Sequence, residues 1–416
     1  MSLKLIRQAL NGNRPPPRMW RSHTLKEHYD VVIIGGGAHG LACAYYLAKE
    51  HGITDVAVLE KGYIGSGGSG RNTAIIRSNY LTVEGVRFYD ESVKLYEQLS
   101  HELDFNVMFS QRGHLTLAHT DSAVNTMRRR AEVNQIQGVD SRLIWPDEIA
   151  RLCPYLDLSD HPRYPILAAL YHPPGGIIRH DAVVWGFAHQ ADTRGVHIHQ
   201  QTEVTGLAVS RAGAPAHITG VDTTRGHIKT GTVLNATAGW GSTIAAMAGV
   251  KLPLVTIPLQ ACVTEPLKPF LDVVIVSGSL HVYVSQSDRG ELVMGASVDP
   301  FSSYSMAGSL LFLEGIAGHV LELFPSLNHV RILRQWAGIC DMPPDYSPLM
   351  GFTPVEGFLV DVGWGTYGFK ASPIAGKTLA ELIATGKIPD LIAPFRLSRF
   401  AENELVGEKG AAAVGH

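Results

Sequence analysis

Cysteine is scarce in this sequence. Cys43, Cys153, Cys262 and Cys340 are the only four in 416 residues, far apart and without a CxxC pair. That excludes a disulfide framework and a cysteine zinc site, so no metal is expected and a reducing cytoplasm is the expected setting. Charge is also sparse, with 18% Asp, Glu, Lys and Arg and a formal net charge of −3. Broad attraction to nucleic acid or to an acidic membrane is therefore not expected. Apolar residues make up 45%, yet no window approaches the unbroken run of roughly 18 that a membrane span needs. The opening "MSLKLIRQALNGNRPPPRMWRSH" is basic but lacks the apolar centre of a signal peptide. Residues 1–28 read as a surface arm able to dock elsewhere.

Glycine is what the chain has in quantity, at 43 residues, and three clusters of it carry the argument. The first is Gly35-Gly36-Gly37-Ala38-His39-Gly40, placed between the apolar run "YDVVII" and the helically spaced "LACAYYLAKEHG". A second β-branched run, "DVAVLEKG", completes a β-turn-α-β unit. In such a unit Gly35 permits the tight turn, Gly37 lets a pyrophosphate approach the backbone, and Gly40 lets helix and strand pack. The helix N-terminus offers free N–H groups to phosphate. Glu60 ends the second strand, twenty residues after Gly40, where a carboxylate can accept from a ribose and would repel a 2′-phosphate.

The second cluster, "GYIGSGGSGRNTAIIR" (62–77), follows the ribose strand, and Arg71 within it can face phosphates. The third, "GWGTYGFKASPIAG" (363–376), can present a helix N-terminus to the pyrimidine edge of a flavin, which is anionic when reduced. A nicotinamide needs little beyond the first unit, whereas a flavin needs a long groove built from distant segments. Together the three clusters favour FAD over NAD.

The expected fold is α/β: a Rossmann-like FAD-binding domain with a second, mixed-sheet substrate domain. The first domain is drawn from residues 29–111, 171–245 and 336–395, and the second from 112–170 and 246–335. Residues 396–416 are taken as a tail, frayed after about Asn403. Within the second domain "HVYVSQSDRGELVMGAS" predicts a hairpin turning at Asp288-Arg289-Gly290, and "AGSLLFLEGIAGHVLELFP" predicts a helix.

The segments "VVIIGGGAHGLACAYYLA", "LEKGYIGSGGSGRNTAIIR", "VLNATAGW", "WAGICDMPPDYSPLMG" and "GTYGFKASPIAGK" together resemble the FAD-dependent amine oxidases of the D-amino-acid oxidase and sarcosine oxidase superfamily. Within it the chain is similar to the β subunits of heterotetrameric sarcosine oxidases, from about Tyr29 to about Pro394. The resemblance implies that Gly35, Gly37, Ala38, His39, Gly40, Glu60, Lys61, Gly70, Arg71, Asn72, Thr73, Ile75, Gly365, Thr366, Gly368 and Lys370 surround FAD. Val204 then touches the adenine. It also implies a carboxylate clamp of Arg77 and Lys370 over the flavin face, with Tyr283 roofing the site. Such enzymes oxidise a secondary amine to an imine without an obligatory strong base.

Three departures from the pattern change the expectation. The position of the usual cysteine tether falls nearest Gly338, not Cys340, so FAD is expected to be non-covalent. "NATAGW" replaces the usual "NAAGAW", and a serine near Ser297 replaces a histidine at the substrate site.

From residues alone, "LYHPPGGIIRHDAVVWG" (170–186) is a loop with two histidines beside a stiff turn. The resemblance implies a second flavin, FMN, bonded covalently to His172, with His180 as the second choice. It further implies α, γ and δ partner chains, with the FMN site shared with the α chain. The implied reaction oxidises sarcosine at FAD and passes electrons to FMN and then oxygen. Its products are hydrogen peroxide, glycine and formaldehyde or methylene-tetrahydrofolate. Alternatives are the flavin subunit of a proline or dimethylglycine dehydrogenase, or a non-catalytic electron-transfer subunit.

Overall fold

The computed structural model describes residues 6, 9–10, 12, 18–212, 215–299 and 301–408. A six-stranded sheet runs in the order Leu349–Phe352, Phe358–Val362, Val233–Asn235, Val31–Ile34, Val56–Leu59, His197–His199. All its neighbours pair in parallel except the first two strands. Every residue of Val31–Ile34 and Val56–Leu59 is buried, because both faces of the sheet are covered. Val31, Ile33, Val56 and Val58 pack toward the helices Ala38–His51, His180–Thr193 and Ser372–Thr385. Val32, Ile34, Ala57 and Leu59 pack on the opposite side with the antiparallel sheet Val204–Ser210, His217–Thr223, Gly226–Lys229. The expected Rossmann-like domain is present.

The second domain is an eight-stranded mixed sheet. Its order is Ile332–Met342, Val255–Pro266, Glu291–Val298, Val282–Gln286, Val274–Ser277, His114–Ala118, Ala168–His172, Arg142–Ile144. Leu115, Leu117, Ile275, Val282 and Val284 face the core completed by the helix Leu310–Leu323. The alternate residues Val274, Val276 and Tyr283 face the other domain. The predicted hairpin forms, with Tyr283–Gln286 paired to Leu292–Gly295.

The expected domain boundaries at 170/171 and 335/336 fall inside the strands Ala168–His172 and Ile332–Met342. The latter strand starts in the substrate sheet and delivers Gly338 to Asp341 to the cleft between domains. Glycine and proline punctuation gives no sign of that continuity.

The expected frayed tail is also corrected, as far as residue 408. Val406 and Glu408 are buried. The Glu408 carboxylate accepts from the N–H groups of Leu81 at 3.1 Å and Thr82 at 2.8 Å, satisfying donors at the start of the helix Val83–Glu102. Residues 409–416 lie outside the described residues. At the other end, residues 18–28 of the arm hold to their own chain. Arg21 and His23 both pair with Asp192, and Lys26 pairs with Asp55. Among the described residues no helix is long and apolar enough to cross a membrane.

Candidate active site

A cavity of about 500 Å³ runs between the two domains, lined by all three glycine clusters. Its first end is the turn after Val31–Ile34. Gly35 has φ +114°, and a Cβ on it would lie 2.4 Å from the Ala236 carbonyl oxygen. Only glycine fits there. Gly37, Ala38 and His39 open the helix Ala38–His51 at the cavity wall. Ser69, which the sequence reading missed, accepts the Ala38 N–H at 2.9 Å. Glu60 accepts from Gly36 N at 2.9 Å and Gly62 N at 2.7 Å, so its carboxylate is held rigidly at the wall. Arg71 donates to the Ser66 carbonyl and Asn72 to the Ser69 carbonyl, which fixes the second glycine loop. Thr73, Ile75 and Val204 also line the cavity, and Lys61 does so while paired with Glu203.

Two predicted cofactor residues are not in the wall. A Cβ on Gly40 would lie 2.1 Å from the Gly35 oxygen, and one on Gly70 2.4 Å from the Gly65 oxygen. Both serve close backbone packing rather than contact with the cavity.

Gly365, Thr366 and Gly368 line the wall beside His39. His39 Nδ1 faces Asp361 at 3.0 Å and its Nε2 faces the Gly368 carbonyl at 2.8 Å. Both partners accept, so the arrangement favours the imidazolium, the one form with hydrogen on both ring nitrogens. Burial pulls its pKa down, but Asp361 and the Gly368 carbonyl outweigh burial and leave it raised. Trp364 also donates to Asp361, at 2.8 Å. This network ties the first glycine turn to the last.

Arg77 and Lys370 line the same cavity and are only 6% and 9% exposed. Arg77 donates to Asn79 Oδ1 at 2.9 Å and lies over the Tyr80 ring at 4.5 Å. The Lys370 ammonium has the Thr366 carbonyl at 3.4 Å. Burial, and then Arg77, bring its pKa down to about 7. Ser92 donates to the Lys370 carbonyl at 2.6 Å and Tyr96 to that of Phe369 at 2.7 Å, which fixes the backbone. Two cations in one wall fit an anionic ligand.

Tyr283 lies over its cross-strand partner Gly295, where a Cβ would fall 1.8 Å from the phenol oxygen. Burial pushes its phenol pKa up, so it stays neutral. Cys340 lines the cavity, and burial pushes its thiol up to about 12, which disfavours the thiolate a tether requires. Gly338 lies beside Arg71. Despite the altered "NATAGW", Ala236, Thr237 and Ala238 line the cavity, braced by the bond from Thr237 Oγ1 to Asn235 Oδ1 at 2.6 Å. The side chain of Ser297 lies outside the described residues.

His172 is not in the cavity wall. It is 0% exposed, with Nδ1 2.8 Å from the Asp140 carbonyl and Nε2 3.2 Å from the N–H of Ser78. Nδ1 therefore carries the hydrogen and Nε2 the lone pair. Burial brings its pKa down to about 3, so the ring is neutral. Around it lie buried polar atoms without a partner among the described residues: Asn79 Nδ2, Arg130 Nη2 and both ring nitrogens of His114. His180 stays outside the cavity, and Arg179 pairs with Asp181 at 2.8 Å.

A cleft with these glycine turns between a Rossmann-like sheet and a mixed sheet defines a dinucleotide-dependent oxidoreductase. The family model "FAD dependent oxidoreductase" (DAO) matches residues 30–382, and the chain belongs to this family. It is 47% identical over 401 residues to the sarcosine oxidase subunit beta of Arthrobacter sp, covering 96% of this chain and 98% of that one. It is 45% identical to that of Rhodobacter capsulatus, covering 99% and 98%. The solved L-proline dehydrogenase of P. horikoshii is 32% identical, with TM-score 0.85, covering 92% of this chain and 100% of that one. The resemblance read from the sequence holds over nearly the whole chain. The name "subunit beta" of these relatives points to a multi-subunit enzyme.

Proposed function

We propose that this chain is the amine-oxidising subunit of a multi-subunit sarcosine oxidase. The observation that carries this reading is the pair of buried cations, Arg77 and Lys370, in the wall of the flavin-family cleft. Their charges fix a substrate carboxylate, and this sets the orientation of the amine. The wall fits FAD: Gly35, Gly37 and the start of Ala38–His51 face the cavity, and Glu60 lines it at the end of the second strand. Bound FAD would supply the two-electron oxidation of the amine to an imine, which water would convert to glycine and formaldehyde. Where a partner chain holds folate, the one-carbon unit is taken up as methylene-tetrahydrofolate. Tyr283 roofs the pocket as a neutral phenol and excludes water. No strong base is needed, since the free amine is the reactive form.

His172 is the proposed attachment point of a covalent FMN, and the donor chemistry fits. Nε2 holds the lone pair and the Asp140 carbonyl fixes the tautomer. Asn79 and Arg130 hold unmet donors nearby. His172 would hold the group through Nε2, while the Asp140 carbonyl keeps the hydrogen on Nδ1. Because the ring is fully buried here, attachment requires the Ser78 side of its surroundings to open. A flavin held there would supply the onward passage of electrons to oxygen that yields hydrogen peroxide.

The test is anaerobic mixing of the purified complex with sarcosine. Bleaching of FAD absorbance supports the reading, and an unbleached flavin supports an electron-transfer subunit instead. Proline is the second substrate to mix, because of the similarity to the L-proline dehydrogenase. Bleaching by proline and not by sarcosine would move the chain to that reaction.

A further inference from the structure

His114 lines the cavity with Arg77 and Lys370. It is 1% exposed, and neither ring nitrogen has a hydrogen-bond partner among the described residues. A neutral imidazole has one N–H and one lone pair, and burying both unmet is costly. Native proteins place a ligand or water at such a group.

Its place in the fold shows which ligand. On the strand His114–Ala118 the residues Leu115 and Leu117 enter the substrate-domain core. His114 points the other way, toward the cleft. The charged and titratable groups that bear on it are Arg77, His172, Arg130 and Lys370. None is a carboxylate. Burial, followed by these groups, holds the ring neutral. An N–H in a field of cations lacks an acceptor, and an anion supplies one. A carboxylate has about four lone-pair sites, more than Arg77 and Lys370 occupy.

We propose that His114 is the third donor of the carboxylate site, giving one N–H to the substrate carboxylate that Arg77 and Lys370 hold. The inference rests on the amino-acid oxidation reading above. It makes His114 a specificity-determining residue, since amines without a carboxylate leave its N–H unmet.

The experiment titrates acetate into the assembled holoenzyme and follows the FAD absorbance. It compares wild type with His114→Phe, His114→Asn and Lys370→Met. His114→Phe is expected to raise the acetate Kd about tenfold, with His114→Asn restoring it to within about threefold of wild type, because asparagine still donates. An acetate Kd within about twofold of wild type in His114→Phe, with Lys370→Met weakened, overturns the inference and leaves the clamp standing. If Lys370→Met is also unchanged, the clamp reading falls and the His114 role falls with it. Should the Phe variant fail to fold, a crystal structure of wild-type holoenzyme with acetate decides. A carboxylate oxygen in hydrogen-bond range of a His114 ring nitrogen supports the role, and acetate bound without that contact overturns it.

Discussion

The backbone N–H of Ser78 donates to Nε2 of His172 at 3.2 Å, which places the proposed second-flavin histidine one residue from the clamp arginine Arg77. A second link joins the same places. His114 and His172 face each other directly across antiparallel strands, and a Cβ on Gly175 would lie within 2.7 Å of His114 Cβ and 3.1 Å of His172 Cδ2. The proposed carboxylate site and His172 are therefore joined by two close packing links. A substitution at either is expected to be felt at the other, because packed interiors transmit displacement.

His172→Ala is expected to abolish the flavin fluorescence of this chain on a denaturing gel. FAD released by acid precipitation should stay at wild-type amounts, since the FAD cavity does not include His172. A fluorescent band persisting in the variant would assign the covalent flavin to another residue, with His180 next to be mapped by peptide analysis.

Lys370 gives a pH dependence of definite sign. Its pKa lies at about 7 in the ligand-free cavity because of burial and then Arg77. Below that pH the ammonium is charged and attracts a carboxylate. Above it the neutral amine leaves Arg77 as the one cation of the pair. Acetate is ionised throughout this range, so its Kd is expected to rise above about pH 7, by at most about tenfold per unit. Binding itself stabilises the charged form, so the break moves upward in the complex. Lys370→Met is expected to bind weakly with no break near 7. A break of the same size in that variant would assign the titration to another group.

How much of this was legible in the sequence follows from the range of each constraint. The glycine turn was legible because Gly35 answers a local steric demand, visible in the neighbouring letters as strand, turn and helix. Arg77 and Lys370 were legible only through the resemblance. Nothing in their immediate neighbours marks two residues 293 positions apart as sharing one wall. His114 was missed because "RGHLTLA" reads as an ordinary strand, and the partners that make its ring unusual come from other segments. Ser69 was missed among its glycines for the same reason. The packed tail was missed because Glu408 answers unmet N–H groups more than 300 residues away.

Arg399 yields a stability prediction. It is 0% exposed and pairs with Asp345 at 2.8 Å while also donating to the Ser347 and Phe395 carbonyls. Asp345 in turn accepts the Val406 N–H at 3.1 Å. Asp345→Asn keeps the shape but leaves the guanidinium buried without its counter-charge, a loss of about 3–5 kcal/mol. Urea unfolding of the variant measures it. A loss below about 1 kcal/mol, the value typical of a solvated pair, would mean that water reaches the site.

His39 sets the last prediction, because its two acceptors leave no neutral tautomer that satisfies both. Losing the proton costs either the Asp361 bond or the Gly368 bond, and so loosens the join between the first and last glycine loops. The sign follows from the direction of the shift. A histidine whose folded pKa is raised contributes fully below its unfolded value near 6.5, and the contribution is lost as pH rises through the folded value. The cleft should therefore hold FAD best in mildly acidic solution and release it more readily in alkali. Fluorescence titration of FAD into apoprotein at pH 6 and pH 9 measures this, with an expected rise in Kd of about tenfold, the scale of one charge-assisted hydrogen bond. His39→Phe keeps a ring against Trp364 but has no proton to lose. Its binding should be weak at pH 6 and should change less than that of wild type up to pH 9. Lys370 titrates in the same range in both proteins, so the difference between their slopes isolates His39. Equal slopes would remove the imidazolium from the account of FAD binding and leave His39 a packing residue.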